Sequence, residues 1–167
     1  MKLSISAILR MAELFDNLSN TQIELIESIA ELIHLRKSEF LFAELDGTDE
    51  LYVIARGGIE ILVNPGLVSA SSEKMEHVVI AELRQGQVLG EVALVDQGLR
   101  SASARASQED TSLLKIPRVR LMLLCDTYPE LGYKLMKNLA ADLALKIRNT
   151  DLTVRQYQLM LSHHRGN

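Results

Sequence analysis

The period of apolar and polar positions changes twice along the chain. Residues 5–15 carry Ile5, Ile8, Leu9, Leu14 and Phe15 as a stripe at helical spacing. A second helix is predicted to begin near Ser19 to Thr21, where Thr21 and Glu24 fit a capping box. Its buried face would be Ile23, Ile26, Ile29, Ala30 and Ile33. Over residues 34–116 short apolar runs replace the stripe: Phe40–Phe42, Leu51–Ala55, Ile59–Val63 and Val78–Leu83. Gly-, Asp- and Ser-bearing turns separate them, a pattern that predicts an antiparallel roll. Residues 64–77 are polar and small after Asn64-Pro65-Gly66 and read as an exposed hairpin loop. After Pro117 the helical period returns. Val119, Leu121, Met122 and Leu123 predict a short helix, and Pro129 opens a long one, where a proline forfeits no hydrogen bond. The predicted fold class is α+β: a jelly-roll-like antiparallel β-roll over 34–116, N-terminal helices over 1–33, and a hinge with a long C-terminal helix over 117–162. All of this reads as one domain.

The long helix carries Leu143, Ile147, Thr150, Val154, Tyr157 and Leu161, stepping by four and three. This heptad seam predicts a homodimer helix. Folding back on its own roll, or fraying past residue 155, is the alternative.

Composition narrows the classes. Of 167 residues, 47% are hydrophobic and 24% charged, the balance of a globular protein with a real core. A net charge of -4 argues against a stand-alone nucleic-acid binder, which needs a basic face for phosphates. One cysteine excludes an internal disulfide framework and a zinc site built on cysteine pairs. No unbroken apolar run is longer than Leu121–Cys125, so no membrane span is expected, and the N-terminus is a poor signal peptide. A cytoplasmic location is the expectation.

The chain has no G-x-S-x-G, no P-loop and no H-E-x-x-H. His34 reads as a half-buried edge residue, and His163-His164 as part of a disordered end. Cys125, with Asp126 beside it, reads as a packed hydrophobe rather than a reactive thiol. With no metal-ligand set in the roll, a cupin-like enzyme is not expected.

Residues 86–103 stand apart from ordinary core, with three glycines within 13 residues. Val92–Val95 reads as a short helical turn after Gly90-Glu91, and such a turn presents free backbone N–H groups to an anion. Arg100 can fork onto two anionic oxygens, and the small residues Ser101-Ala102 allow close approach. Glu91 suits a sugar hydroxyl, not a phosphate. The residue types thus suggest a sugar phosphate or nucleotide of one negative charge. A hairpin loop closed by a Glu91–Arg100 ion pair fits them equally.

Gly90-Glu91-Val92-Ala93-Leu94 followed by Arg100-Ser101-Ala102-Ser103, with nine residues from Glu91 to Arg100, resembles the phosphate-binding cassette of the cyclic nucleotide-binding domain. Leu51–Ile54 with Gly57, Leu83–Gly86, Phe15–Ser19 and Asp126–Pro129 extend the resemblance over residues 10–155. It implies that Arg100 pairs with a cyclic phosphate, helped by Ser101 and by the backbone N–H groups of Ala93 and Ala102. Glu91, with the Gly90 backbone and Val92 beside it, would take the ribose 2′-hydroxyl. Ile61, Ile80, Leu83 and Leu89 match positions that wall the base. The ligand would be cAMP or cGMP, since a Ser101 hydroxyl permits either base. No cofactor, metal or catalysis is implied.

The long helix would lid the base, with Lys146, Ile147, Asn149 and Thr150 as candidates. Four positions depart from the family pattern. Leu45 and Ser38 replace usual turn glycines, which leaves Gly47, or a differently shaped loop, to supply positive φ. Leu99 and Ala104 replace a common proline and valine. The chain ends short of the helix-turn-helix domain of bacterial activators. The expected output is therefore through an unknown effector protein, without direct nucleic-acid or membrane contact. A roll that binds no nucleotide and acts as an interaction scaffold, or a truncated transcriptional regulator, are the alternative readings.

Overall fold

The computed structural model describes residues 4–67 and 77–164. The residues 68–76 of the expected hairpin loop lie outside the described residues. The chain opens with α1 (Ile5–Leu9), a 3-10 turn (Glu13–Phe15) and α2 (Asn20–Glu27). Eight strands follow: β1 (Glu31–Leu35), β2 (Phe40–Phe42), β3 (Leu51–Arg56), β4 (Gly58–Val63), β5 (Val78–Arg84), β6 (Val88–Leu89), β7 (Ser103–Ala106) and β8 (Thr111–Ile116). A short helix α3 (Ala93–Asp96) sits between β6 and β7. The chain then runs through α4 (Arg118–Thr127) and α5 (Pro129–His164). This is the expected α+β fold: an antiparallel β-roll with N-terminal helices and a long C-terminal helix.

The strands form two four-stranded antiparallel sheets, ordered β1-β8-β3-β6 and β2-β7-β4-β5. Two cores follow from strand alternation. On β3, Leu51, Val53 and Ala55 face the helices, while Tyr52 and Ile54 face the roll interior. Both faces of β3 are covered, so Leu51–Ala55 reads as an unbroken apolar run. Leu114 and Ile116 of β8 join the helix-side core, and Leu113 joins Ile59, Leu89 and Ala104 inside the roll. Leu131, Leu135 and Leu139 seat the first half of α5 on the helix-side core. The Asn138 amide fastens it by donating to the Leu14 and Asp16 carbonyls at 3.0 and 2.9 Å.

The N-terminal segment differs from the sequence expectation in three ways. The stripe over 5–15 is broken: α1 ends at Leu9, and the extended Ala12 redirects the chain into the 3-10 turn that buries Leu14 and Phe15. The capping box is made by Ser19 and Gln22, not Thr21 and Glu24. Ser19 Oγ accepts from the Gln22 N–H at 3.2 Å, and Gln22 Oε1 accepts from the Ser19 N–H at 2.9 Å. The helix also stops at Glu27, and Glu31–Leu35 is a strand. Ile33 pairs with Leu113 of β8 and packs against the roll core, so pairing with β8 overrides the helical spacing that continues to residue 33.

His34 is exposed on β1, at the edge of its sheet. At the other end the helix backbone continues through His164, where the sequence suggested a disordered end. Burial, then the Asp126 charge, push the Cys125 thiol up, as expected for a packed thiol.

Candidate functional site

The segment from β6 to β7 wraps one wall of a cavity of about 700 Å³, within the range of small-molecule sites. Gly90, at φ +80, turns the chain out of β6. Glu91 and Val92 follow, and α3 begins at Ala93 with Leu94 buried in the helix-side core. Gln97 at φ 51 ends that turn, and the chain returns to Arg100 and β7. The predicted helical turn and loop are therefore present.

Arg100 is 5% exposed, and its surroundings account for that. The guanidinium lies over the Phe42 ring at 4.3 Å from its centroid, a cation–π distance. Nε donates to Thr48 Oγ1 at 3.0 Å, and Nη2 donates to the Glu50 carbonyl at 2.9 Å. The Glu50 carboxylate stands 3.7 Å from Nη2 and 3.0 Å from Lys115 Nζ. Its Oε2 is buried and accepts no hydrogen bond from the described residues. Nη1 is left without a hydrogen-bond partner among the described residues, and it lies beside Gly90. Arg100 is thus a buried cation held by one edge with donors to spare.

The charges around it are mutually dependent. Burial raises the Glu50 pKa, but a backbone hydrogen bond and the Lys115 and Arg100 charges outweigh it, leaving the carboxyl below the usual glutamate range. Burial and the Glu50 charge push the neighbouring Tyr52 hydroxyl up to about 12.

Glu91 is 8% exposed and accepts a hydrogen bond from Lys146 Nζ of α5. Lys146 also pairs with Asp142 Oδ2 at 2.9 Å, one turn back on the same helix. Burial alone would lower the Lys146 pKa, but its bonds to Glu91 and Asp142 raise it above the ordinary lysine value. The Glu91–Arg100 ion pair that the residue types allowed is not formed. Glu91 pairs with α5, and Arg100 with the segment before β3.

Most of the expected site residues meet at this cavity. Gly90, Glu91, Val92 and Ala93 line it, as do Arg100, Ser101 and Ala102. Ile61, Leu83 and Leu89 line its apolar side. Ile80 is outside this group. Ile61 pairs with Ala81 and Leu62 with Val79, so Ile80 is the unpaired residue of a β-bulge and is 57% exposed. Of the four lid candidates, Lys146 and Asn149 line the cavity, together with Asp142 and Leu145 of the same helical face. Ile147 is exposed, and the Thr150 hydroxyl donates to the Lys146 carbonyl at 2.9 Å. Phe42, Thr48 and Glu50 were not expected. They precede Arg100 by about 50 residues or more, and no local motif marks them.

Leu45 corrects the expectation for the preceding turn. Leu45 itself takes φ 70, as Ser38 takes φ 67, and Gly47 does not assume the role. The Leu45 N–H donates to the Arg100 carbonyl at 2.8 Å, and the Arg100 N–H donates to the Asp46 carbonyl at 2.9 Å. The strained turn is therefore the clasp that fixes the Arg100 backbone. Leu45 is more than half exposed, so little packing is lost by truncation. Leu45→Gly is expected to raise stability by about 1 kcal/mol, or roughly 2–4 °C in thermal unfolding. A lowered melting temperature would show that the turn is unstrained.

The profile of the cyclic nucleotide-binding domain matches residues 32–128. The chain belongs to that family. The lysophospholipase NTE1 of Saccharomyces cerevisiae is 28% identical over 136 residues, which cover 79% of this chain and 8% of that protein. The cyclic AMP receptor protein of Thermus thermophilus is 30% identical over 139 residues, covering 83% of this chain and 59% of that protein. The crystal structure of the Thermus thermophilus catabolite activator protein superposes with a TM-score of 0.72 at 28% identity, covering 88% of this chain and 63% of that one. The chain thus spans less than two thirds of either curated relative. As a cyclic nucleotide-binding domain it has a regulatory rather than a catalytic type of fold. Among its described residues no helix is long and apolar enough to cross a membrane.

Proposed function

We propose that this domain binds a 3′,5′-cyclic nucleotide, cAMP first and cGMP second, without cutting it, and reports occupancy through α5 to an effector protein in the cytoplasm. The observation that carries this reading is Arg100. A buried guanidinium is anchored through Nε and Nη2, Arg100 lines a cavity of ligand size, and its free Nη1 lies beside Gly90, another lining residue. A phosphodiester keeps its charge at neutral pH and suits that donor, with the Ala93 and Ala102 backbone N–H groups and the Ser101 hydroxyl as further donors. Glu91 and the Gly90 backbone would take the ribose 2′-hydroxyl. Ile61, Leu83 and Leu89 would flank the base, and Asn149 on α5 would offer it both a donor and an acceptor. Similarity to the cyclic AMP receptor protein of Thermus thermophilus favours adenine. Thermal unfolding with added ligand tests the reading. At 100 times the dissociation constant, cAMP would stabilise the protein by about 2.7 kcal/mol. No shift with either cyclic nucleotide at millimolar concentration would sink it.

Signalling would run through a dimer of α5. Ile147, Val154, Tyr157 and Leu161 of the heptad seam are each about half exposed or more on the single chain. A seam of this kind is stable when a second helix covers it. The chain cut after residue 148 is expected to elute as a monomer, where the whole chain elutes as a dimer. A truncated protein that remains dimeric would remove the helix from the interface.

A further inference from the structure

Arg100 does not face the cavity as an isolated cation. Glu50 and Lys115 adjoin it without lining the cavity themselves. The Glu50 carboxylate is 3.7 Å from Arg100 Nη2 through Oε2 and 3.0 Å from Lys115 Nζ through Oε1. Despite its burial, a backbone hydrogen bond and the Lys115 and Arg100 charges keep that carboxyl below the usual glutamate range, so it is ionised at neutral pH. Two cations thus share one carboxylate, and the group carries one net positive charge. The lining adds none to it. Among the described residues Lys146 is the other cation of the lining, and Glu91 and Asp142 answer it.

The Glu50 carboxylate does not aim the arginine. The fork is held by Thr48 Oγ1, by the main-chain carbonyl of Glu50 and by the Phe42 ring. Oε2 accepts no hydrogen bond from the described residues, and a buried acceptor left unmatched costs stability. What the side chain does supply is a negative charge next to the guanidinium that an anion must approach. Its repulsion grows in proportion to the charge of that anion, and burial keeps it from being screened away.

We propose that Glu50 is a specificity-determining residue: it trims the net charge around Arg100 to one, so that the cavity takes a singly charged phosphodiester and turns away doubly charged phosphomonoesters such as nucleoside 5′-phosphates. This rests on the cyclic nucleotide reading of the cavity. It adds a reason why the ring-opened form of the same ligand, which carries one more charge, is rejected.

The test is calorimetry on the full chain at pH 8, where a phosphomonoester, with a second pKa of about 6, is a dianion. The ligands are cAMP, 5′-AMP and the monomethyl ester of 5′-AMP. The ester has the open chain of 5′-AMP and the single charge of cAMP. Wild type is expected to bind the ester at least about 10-fold tighter than 5′-AMP. Glu50→Gln should shrink that ratio about 10-fold and leave the ratio of cAMP to the ester within about 2-fold. Lys115→Gln leaves Glu50 less compensated and should widen the preference for the ester over 5′-AMP about 3-fold. The Lys115 side chain is one third exposed, so this variant decides the matter where Glu50→Gln does not fold. A charge preference that neither variant moves would overturn the proposal. So would a wild type that binds cAMP and rejects the ester as fully as 5′-AMP, since ring shape and not charge would then exclude the open chain. A wild type that binds the ester over 5′-AMP but not cAMP would sink the cyclic nucleotide reading alone, and binding of none of the three would sink both.

Discussion

Arg100→Ala is expected to abolish the thermal stabilisation by cAMP, with affinity reduced at least about 100-fold. The guanidinium is a buried cation on the cavity wall beside Gly90. An anion brought there without it would meet the Glu50 carboxylate across a cleared space, with Lys115 half spent on the far oxygen. Arg100→Lys should be intermediate, since an ammonium keeps the charge but loses the planar fork that spans Thr48 and the Glu50 carbonyl. Arg100→Ala retaining the full cAMP shift would remove this residue from the phosphate role.

The same variant has a pH signature in the absence of ligand. Arg100 is one of the charges that hold the Glu50 carboxyl below its ordinary range. A carboxyl depressed on folding contributes stability that is present above its unfolded pKa, about 4.3, and is lost as pH falls through the folded value. Arg100→Ala forfeits part of that contribution at neutral pH. The stability gap between wild type and variant should therefore narrow on acidification below about pH 4. A gap that stays constant with pH would mean the loss is one of packing against Phe42 rather than of charge.

What the sequence made legible here follows contact distance along the chain. Glu91, Ala93, Arg100 and Ala102 lie within one loop, and their spacing alone brought them together on the same cavity. The groups that hold two of them do not. Phe42, Thr48 and Glu50 reach Arg100 across some fifty residues, and Lys146 reaches Glu91 across 55. An acidic residue before an apolar strand, as at Glu50, looks like any solvated strand end. Residues 29–33 misled for a different reason. Ile29, Ala30 and Ile33 continue a helical spacing, yet Ile29 and Ala30 pack on the helix-side core and Ile33 on the roll. A strand that packs Leu32 on one core and Ile33 on the other imitates a helix stripe over so short a run. Ile80 shows a third limit. It stands three residues before the cavity-lining Leu83, so regular alternation already sets the two on opposite faces, and the bulge leaves Ile80 unpaired and exposed. Leu45 is the converse case. The missing glycine was visible, but the chain resolves it by straining a leucine, because two backbone hydrogen bonds to Arg100 hold the turn closed.

Gly90→Ala is the change expected to damage fold and site together. At φ +80 an alanine is strained in any surroundings, and here the surroundings are occupied. Its Cβ would lie 2.6 Å from Arg100 Nη1 and 2.6 Å from the Glu50 carbonyl oxygen. That oxygen accepts the Nη2 bond, so the methyl would wedge into the contact that aims the guanidinium. The arginine cannot swing aside freely while Thr48 and Phe42 hold it, and the other obstacle is backbone. Backbone strain and overpacking together should cost about 2–4 kcal/mol, read as a lower midpoint in chemical denaturation. Gly98→Ala supplies the contrast within the same loop. Its nearest neighbour would be the exposed Asp96 side chain at 3.2 Å, and it needs no positive φ, so its effect should stay within about 0.5 kcal/mol. Titration with cAMP separates the two consequences of Gly90→Ala. Loss of stability with unchanged affinity would mean that Arg100 re-forms its contacts around the methyl. Loss of both would mean that the close approach of Gly90 to Arg100 is what presents the free Nη1 to an anion.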